Sequence, residues 1–139
     1  MSWSGIKKHT NIENIKSWCD KMGIRNYTIN SQGEIDVDGN VDLNDTDLEE
    51  LPYKFGTING WFTLSNNKKL KSLKNCPYHI SNEHMFDIDG CSNLDSLEGF
   101  PKIVDGTVYC RKCKRKFTKK EIESIRNVGD GINKIYIIS

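Results

Sequence analysis

Apolar residues recur along this chain in two rhythms. Ile12, Ile15, Cys19 and Met22, with Trp18 beside them, fall at the three- and four-residue intervals of one helix face. Thr10 or Asn11 is placed to cap that helix and Gly23 to stop it. The period then shortens to two. Tyr27-Thr28-Ile29-Asn30 and Glu34-Ile35-Asp36-Val37 alternate apolar and polar residues around Ser31-Gln32-Gly33, which predicts a hairpin. Residues 1–38 therefore read as a leading cap of one helix and one hairpin.

From Gly39 the chain repeats itself. Apolar-x-apolar units stand at Val41-x-Leu43, Phe62-x-Leu64, Phe86-x-Ile88 and Val108-x-Cys110, offset by 21, 24 and 22 residues. Between them lie Leu48-x-x-Leu51-Pro52, Leu70-x-x-Leu73-x-x-Cys76-Pro77 and Leu94-x-x-Leu97-x-x-Phe100-Pro101, so all three prolines fall at one repeat position. A period of this length is that of leucine-rich repeats. Each unit predicts a short strand with its apolar pair inward and the residue between them outward. One such strand cannot bury its inner face alone, but stacked strands share a continuous core. Val41, Leu43, Leu48, Phe62, Leu64, Leu70, Phe86, Ile88, Leu94 and Leu97 are the expected core ladders. Three residues beyond the strands stand Thr46, Asn67, Cys91 and Cys113, where an inward polar side chain can satisfy turning backbone.

The end of the chain predicts a closing cap. Thr118-Lys119-Lys120-Glu121 is a capping-box pattern. Ile122, Ile125 and Val128 give one short apolar helix face, stopped by Gly129 and Gly131, and Ile135-Tyr136-Ile137-Ile138 reads as a paired strand. The expected fold is thus a single α/β domain: a short leucine-rich-repeat-like solenoid of about four rungs (39–117) between an N-terminal helix-hairpin cap (1–38) and a C-terminal helix-strand cap (118–139).

On these residues the chain resembles the small leucine-rich-repeat-like accessory proteins of large tailed bacteriophages. The likeness is carried by Asp38-Gly39-Asn40-Val41-Asp42-Leu43, Leu48–Pro52, Ser65-Asn66-Asn67, Ser96-Leu97-Glu98-Gly99 and Phe117-Thr118, and spans roughly residues 10–127. It implies a phage-encoded protein acting in the host cytoplasm, with a fold more than an activity.

Composition narrows the field. With 139 residues, 36% hydrophobic and 28% charged, the chain suits one soluble domain, and no run approaches a membrane span. Five cysteines without an export signal predict free thiols in a reducing compartment. Cys110-x-x-Cys113 and Cys76-x-x-His79 have the local spacing of zinc ligands. The repeat already accounts for Cys110 as an inward strand residue and Cys113 as a turn residue, so structural thiols are expected and no metal or other cofactor. His9, His79 and His84 lack a nucleophile or carboxylate at motif spacing. Asp42, Asp87 and Asp89 on neighbouring rungs could gather a cation, though solvated surface acids are the commoner case. No enzyme is predicted.

Two features point to binding. Residues 111–120 hold seven bases, and Glu34–Glu50 hold eight acids and no base, which polarises the chain along its length. Lys112, Lys114, Arg115 and Lys116 are candidate contacts to phosphate or to an acidic protein, so a nucleic-acid-associated role is the alternative reading. The primary one is a non-enzymatic protein-binding module. The outward residues of the strands should align in three rows: Asn40, Trp61, Met85, Thr107; Asp42, Thr63, Asp87, Tyr109; and Asn44, Ser65, Asp89, Arg111. Trp61, Thr63, Met85, Asp87, Tyr109 and Arg111 form the predicted partner face, with Trp61 and Tyr109 as anchors. The partner so implied is a host or defence protein.

Overall fold

The structure, a computed structural model, describes residues 3–124 and 134–136, with side chains described for residues 11–124. Helix α1 (Trp3–Lys21) opens the chain. It ends as the glycine predicts. Gly23 takes φ +75°, its N–H reaches the Asp20 carbonyl at 3.2 Å, and the Ile24 N–H reaches the Cys19 carbonyl at 2.9 Å. These bonds occupy carbonyls that a helix end leaves without partners. The start differs from expectation, since α1 begins at Trp3 and runs through Thr10 and Asn11. A residue that caps well is not obliged to cap, because Thr and Asn cost less than about 1 kcal/mol inside a helix. Ile15 and Cys19 are buried, and the Trp18 ring meets Tyr53 and Phe55 edge-on at 5.9 and 6.0 Å.

Strands β1 (Tyr27–Ile29) and β2 (Ile35–Val37) form the expected antiparallel hairpin, closed by Asn30, whose side-chain oxygen accepts from the N–H groups of Gln32 and Glu34. Strands β3 (Val41–Asp42), β5 (Phe62–Thr63), β7 (Phe86–Asp87) and β9 (Thr107–Tyr109) lie where the apolar-x-apolar units predict them. A second set was not anticipated. Strands β4 (Phe55–Ile58), β6 (His79–Ile80) and β8 (Ile103–Val104) begin two or three residues after Pro52, Pro77 and Pro101. Helix α2 (Lys119–Ser124) and strand β10 (Lys134–Tyr136) follow. The result is a mixed α/β, β-solenoid-like arrangement of about three turns, with two sheets ordered β1-β2-β4-β6-β8 and β3-β5-β7-β9-β10.

Every pairing but the hairpin is parallel, including β2 with β4, so the hairpin's second strand is also the first strand of the unanticipated sheet. Each turn therefore contributes a strand to both sheets, and the chain bends sharply between them. At Gly60 the bend brings successive turns so close that an added Cβ would lie 2.2 Å from the Gly39 carbonyl oxygen. Only glycine fits there without a shift of backbone.

The core runs between the sheets. Phe55, Phe62, Phe86 and Phe100 form a column with centroid separations of 5.1, 6.2 and 5.2 Å. Eight of the ten expected core residues are buried, while Leu48 and Leu97 only pack against the core partly buried. The reason is their place in the stack. The middle Leu70–Leu73 step has a turn on each side and buries both leucines, whereas each outer step buries one, Leu51 or Leu94. Phe117 and Ile122 are buried at the far end. There Glu121 N–H reaches the Thr118 hydroxyl at 3.1 Å and Thr118 N–H reaches the Glu121 carboxylate at 3.3 Å, completing the capping box. Ile125, Val128, Gly129, Gly131, Ile137 and Ile138 lie outside the described residues. Among those described, no helix is long and apolar enough to cross a membrane.

Candidate functional site

The register of β3, β5, β7 and β9 brings together the rows expected from the repeat. Asp42 pairs with Thr63, Thr63 with Asp87 and Asp87 with Tyr109, in step with the inward ladder Val41–Phe62–Phe86–Val108. Side chains then knit the rows. Parallel pairing leaves alternate N–H groups facing the preceding turn, and at three of them an amide or carboxylate of that turn is the acceptor. Asn40 accepts from Trp61 N–H at 3.0 Å, Asn44 from Ser65 N–H at 2.7 Å, and Asp89 from Arg111 N–H at 2.7 Å. Within strands, Asp42 accepts from Asn44 N–H and Asp87 from Asp89 N–H. Side chains thus tie the backbone of neighbouring turns together along this surface.

The predicted contact residues differ in access. Trp61, Met85, Asp87, Tyr109 and Arg111 are partly exposed. Thr63, in the middle of them, is only 4% exposed, because its hydroxyl is turned to Asn44 (2.5 Å) and Ser65 (3.3 Å) within the sheet. Burial lifts the Asp87 carboxyl above its ordinary range. The Arg111 guanidinium grips Asp89 through Nε and Nη2 at 2.9 and 2.5 Å and stands 5.2 Å from the Tyr109 ring centre. Strands β1 and β2 belong to the other sheet, and β10 extends this one beside β9.

The charge pattern looks different once the chain is wound. Residues 26–50 carry eight acids and no base, 51–82 five bases and no acid, 83–105 six acids and one base, and 106–120 seven bases and no acid. The polarisation read from the two ends is thus an alternation, and winding sets each sign against the other. Lys71 pairs with Glu49 at 2.8 Å, Lys69 with Asp47 at 3.8 Å and Lys114 with Asp95 at 3.7 Å. Arg115 pairs with Glu121 at 2.8 Å and lies 4.3 Å over the Phe117 ring. Of the basic segment, Arg111, Lys114 and Arg115 are therefore engaged within the chain, while Lys112 and Lys116 are exposed.

The turn position past each strand is where buried polarity collects. Asn67 is fully buried and uses both ends of its amide. It donates to the Leu43 and Leu64 carbonyls, each at 2.7 Å, and accepts from the Thr46 N–H at 2.9 Å and from the Thr46 hydroxyl. Cys91 and Cys113 occupy the same position in later turns and donate to the Leu64 and Ile88 carbonyls at 3.2 and 3.6 Å. Burial pushes the Cys91 thiol up to about 12. A hydrogen bond from Cys110 holds Cys113 below the ordinary thiol range and pushes Cys110 up. Among the described residues, no group of three or more His, Cys, Asp or Glu side chains is arranged to hold a metal ion. Asp42 is exposed and Asp89 is taken by Arg111, so the three aspartates do not converge. His79 faces Asp105 at 3.0 Å across the other sheet, and His84 is partly exposed.

No family model, curated protein or solved structure matches the chain.

Sequence reasoning passed over the outer face of the second sheet, where Lys54, Tyr78 and Lys102 stand just ahead of β4, β6 and β8. The signal was present. After each proline a polar or aromatic residue precedes an apolar one, in Lys54-Phe55, Tyr78-His79-Ile80 and Lys102-Ile103.

Proposed function

We propose that this chain is a short leucine-rich-repeat-like, non-enzymatic protein-binding module of the phage accessory type, whose partner is a host or defence protein. The observation that carries the reading is the outer face of β3-β5-β7-β9. Trp61, Met85 and Tyr109 stand partly exposed there, and side chains of the preceding turns accept from the N–H groups of Trp61 and Arg111. Aromatic residues, methionine and arginine are the types that interface centres favour. Arg111, fixed by Asp89, and Asp87 supply orientation. Four strands span only about 15–20 Å, so the partner also touches a cap. The internal pairing of Arg111, Lys114 and Arg115 weighs against a phosphate-directed role for residues 111–120.

The test begins with affinity capture from infected host lysate and then measures the captured protein against variants. Trp61→Ala and Tyr109→Ala should each weaken binding by roughly 2 kcal/mol or more with unchanged melting. Full affinity in both folded variants would move the site off this face. Binding of DNA or RNA that collapses as salt rises would instead favour the basic segment.

A further inference from the structure

A half-open cavity of about 520 Å³ lies away from the β3-β5-β7-β9 face, at the starts of β6 and β8. Its floor and walls are apolar: Pro77, Leu97 and Phe100, with the Tyr78 ring at the rim. Pro77 and Phe100 are buried, whereas Tyr78 is 49% exposed and is the one exposed large hydrophobic residue of the described set. An aromatic ring left at the mouth of an apolar hollow is a wall waiting for a second ring.

Two lysines line the same cavity. Lys102 is exposed, but Lys54 is partly buried and its ammonium donates to the Cys76 carbonyl. No carboxylate of the described residues lies within ion-pair distance of either lysine, and Glu34 acts on Lys54 only from further away. Burial accordingly holds the Lys54 ammonium below its ordinary range. A cation drawn out of water without a counter-charge raises the value of any anion that reaches it. Glu98 lines the cavity too. We propose that this cavity binds a small aromatic carboxylate, its ring against Tyr78, Leu97 and Phe100 and its carboxylate on Lys54 and Lys102. The volume suits such a molecule, since small-ligand pockets run from about 300 to 1,000 Å³.

The probes are naphthalene-2-carboxylate and its neutral counterpart 2-naphthylmethanol, titrated into the intact protein and followed by backbone amide shifts. The carboxylate should bind about tenfold more tightly, the scale of one charge-assisted hydrogen bond. The shifts should centre on Tyr78 and Gly99. Lys54→Met should bring the two probes to within about twofold of each other by losing that bond, and Tyr78→Ala should weaken both. Lys102→Met, on the exposed rim, should lower the preference in part and keeps the test open if Lys54→Met does not fold. Equal affinity for the two probes in the unaltered chain overturns the proposal. So do shifts that fall elsewhere, or an unchanged preference in the lysine variants. Because neither probe involves the strand face, failure here leaves the protein-binding reading untouched.

Discussion

In the second turn of the solenoid the first position inside the bend is Asn67; one turn later it is Cys91. Both side chains are fully buried and both face the Leu64 carbonyl, the asparagine from within its own turn and the cysteine from the next. Asn67 makes four hydrogen bonds and ties the backbone of two turns together, holding Leu43 and Thr46 on one side and Leu64 on the other. Cys91 donates one, through a weak sulfur donor, and its sulfur takes a second from the Asn67 backbone. The neighbours explain why either suffices. Thr46, beside Asn67, brings polar groups of its own into the bend, whereas Cys113, the next residue of the column after Cys91, is another thiol. One backbone geometry is thus held by a polar network at one end and mainly by apolar packing at the other.

The sharpest way to break that comparison is to remove packing alone. Leu64→Ala, in the core between the two bends, should cost about 2–5 kcal/mol in denaturant unfolding, as for other buried leucines. Asn67→Leu should come next, at about 2–3 kcal/mol, because the Leu43 carbonyl and the Thr46 N–H lose the amide and the Leu64 carbonyl keeps only the weak Cys91 thiol. Asn67→Cys, which copies the later turns, should recover part of that loss. If Asn67→Leu were as stable as the parent, the bend would owe nothing to its polar network.

Thiol chemistry sharpens the other half. At pH 8 iodoacetamide should modify Cys113 first, because it is partly exposed and held below the ordinary thiol range. Cys91 at about 12 has only about one thiolate in ten thousand at that pH, and Cys19 at about 11 about one in a thousand. Both thiols titrate higher in the fold than their ordinary value of 9.0. Their contribution to stability is therefore whole below pH 9 and is lost as pH rises toward 11–12. The urea midpoint should decline across that window, and peptide mapping should place early label on Cys113 alone. Uniform labelling of all five cysteines would contradict the packing described. The smallest effect belongs to the charges. Lys71→Met removes an exposed ion pair to Glu49 and should leave the melting temperature unchanged within error.

What the residue pattern determined was the repeat. Val41, Phe62, Phe86 and Val108 stack because an apolar-x-apolar unit has only one way to hide both apolar side chains, and the spacing of the units sets the pitch. Gly23 as a helix stop, Thr118 and Glu121 as a capping box, and the outward rows were legible for the same reason, being local in the chain. The second sheet was not. β6 and β8 are two residues long, too short to show alternation, and they are strands only because a neighbouring turn pairs with them. Nor could the sequence show that Lys114 meets Asp95 or Arg115 meets Glu121, or that Thr63 would be hidden among its own neighbours. Periodicity is written residue by residue, but the pairing of charges, the cavity beside Lys54 and the burial of Thr63 depend on which turn lies above which, and only winding the chain decides that.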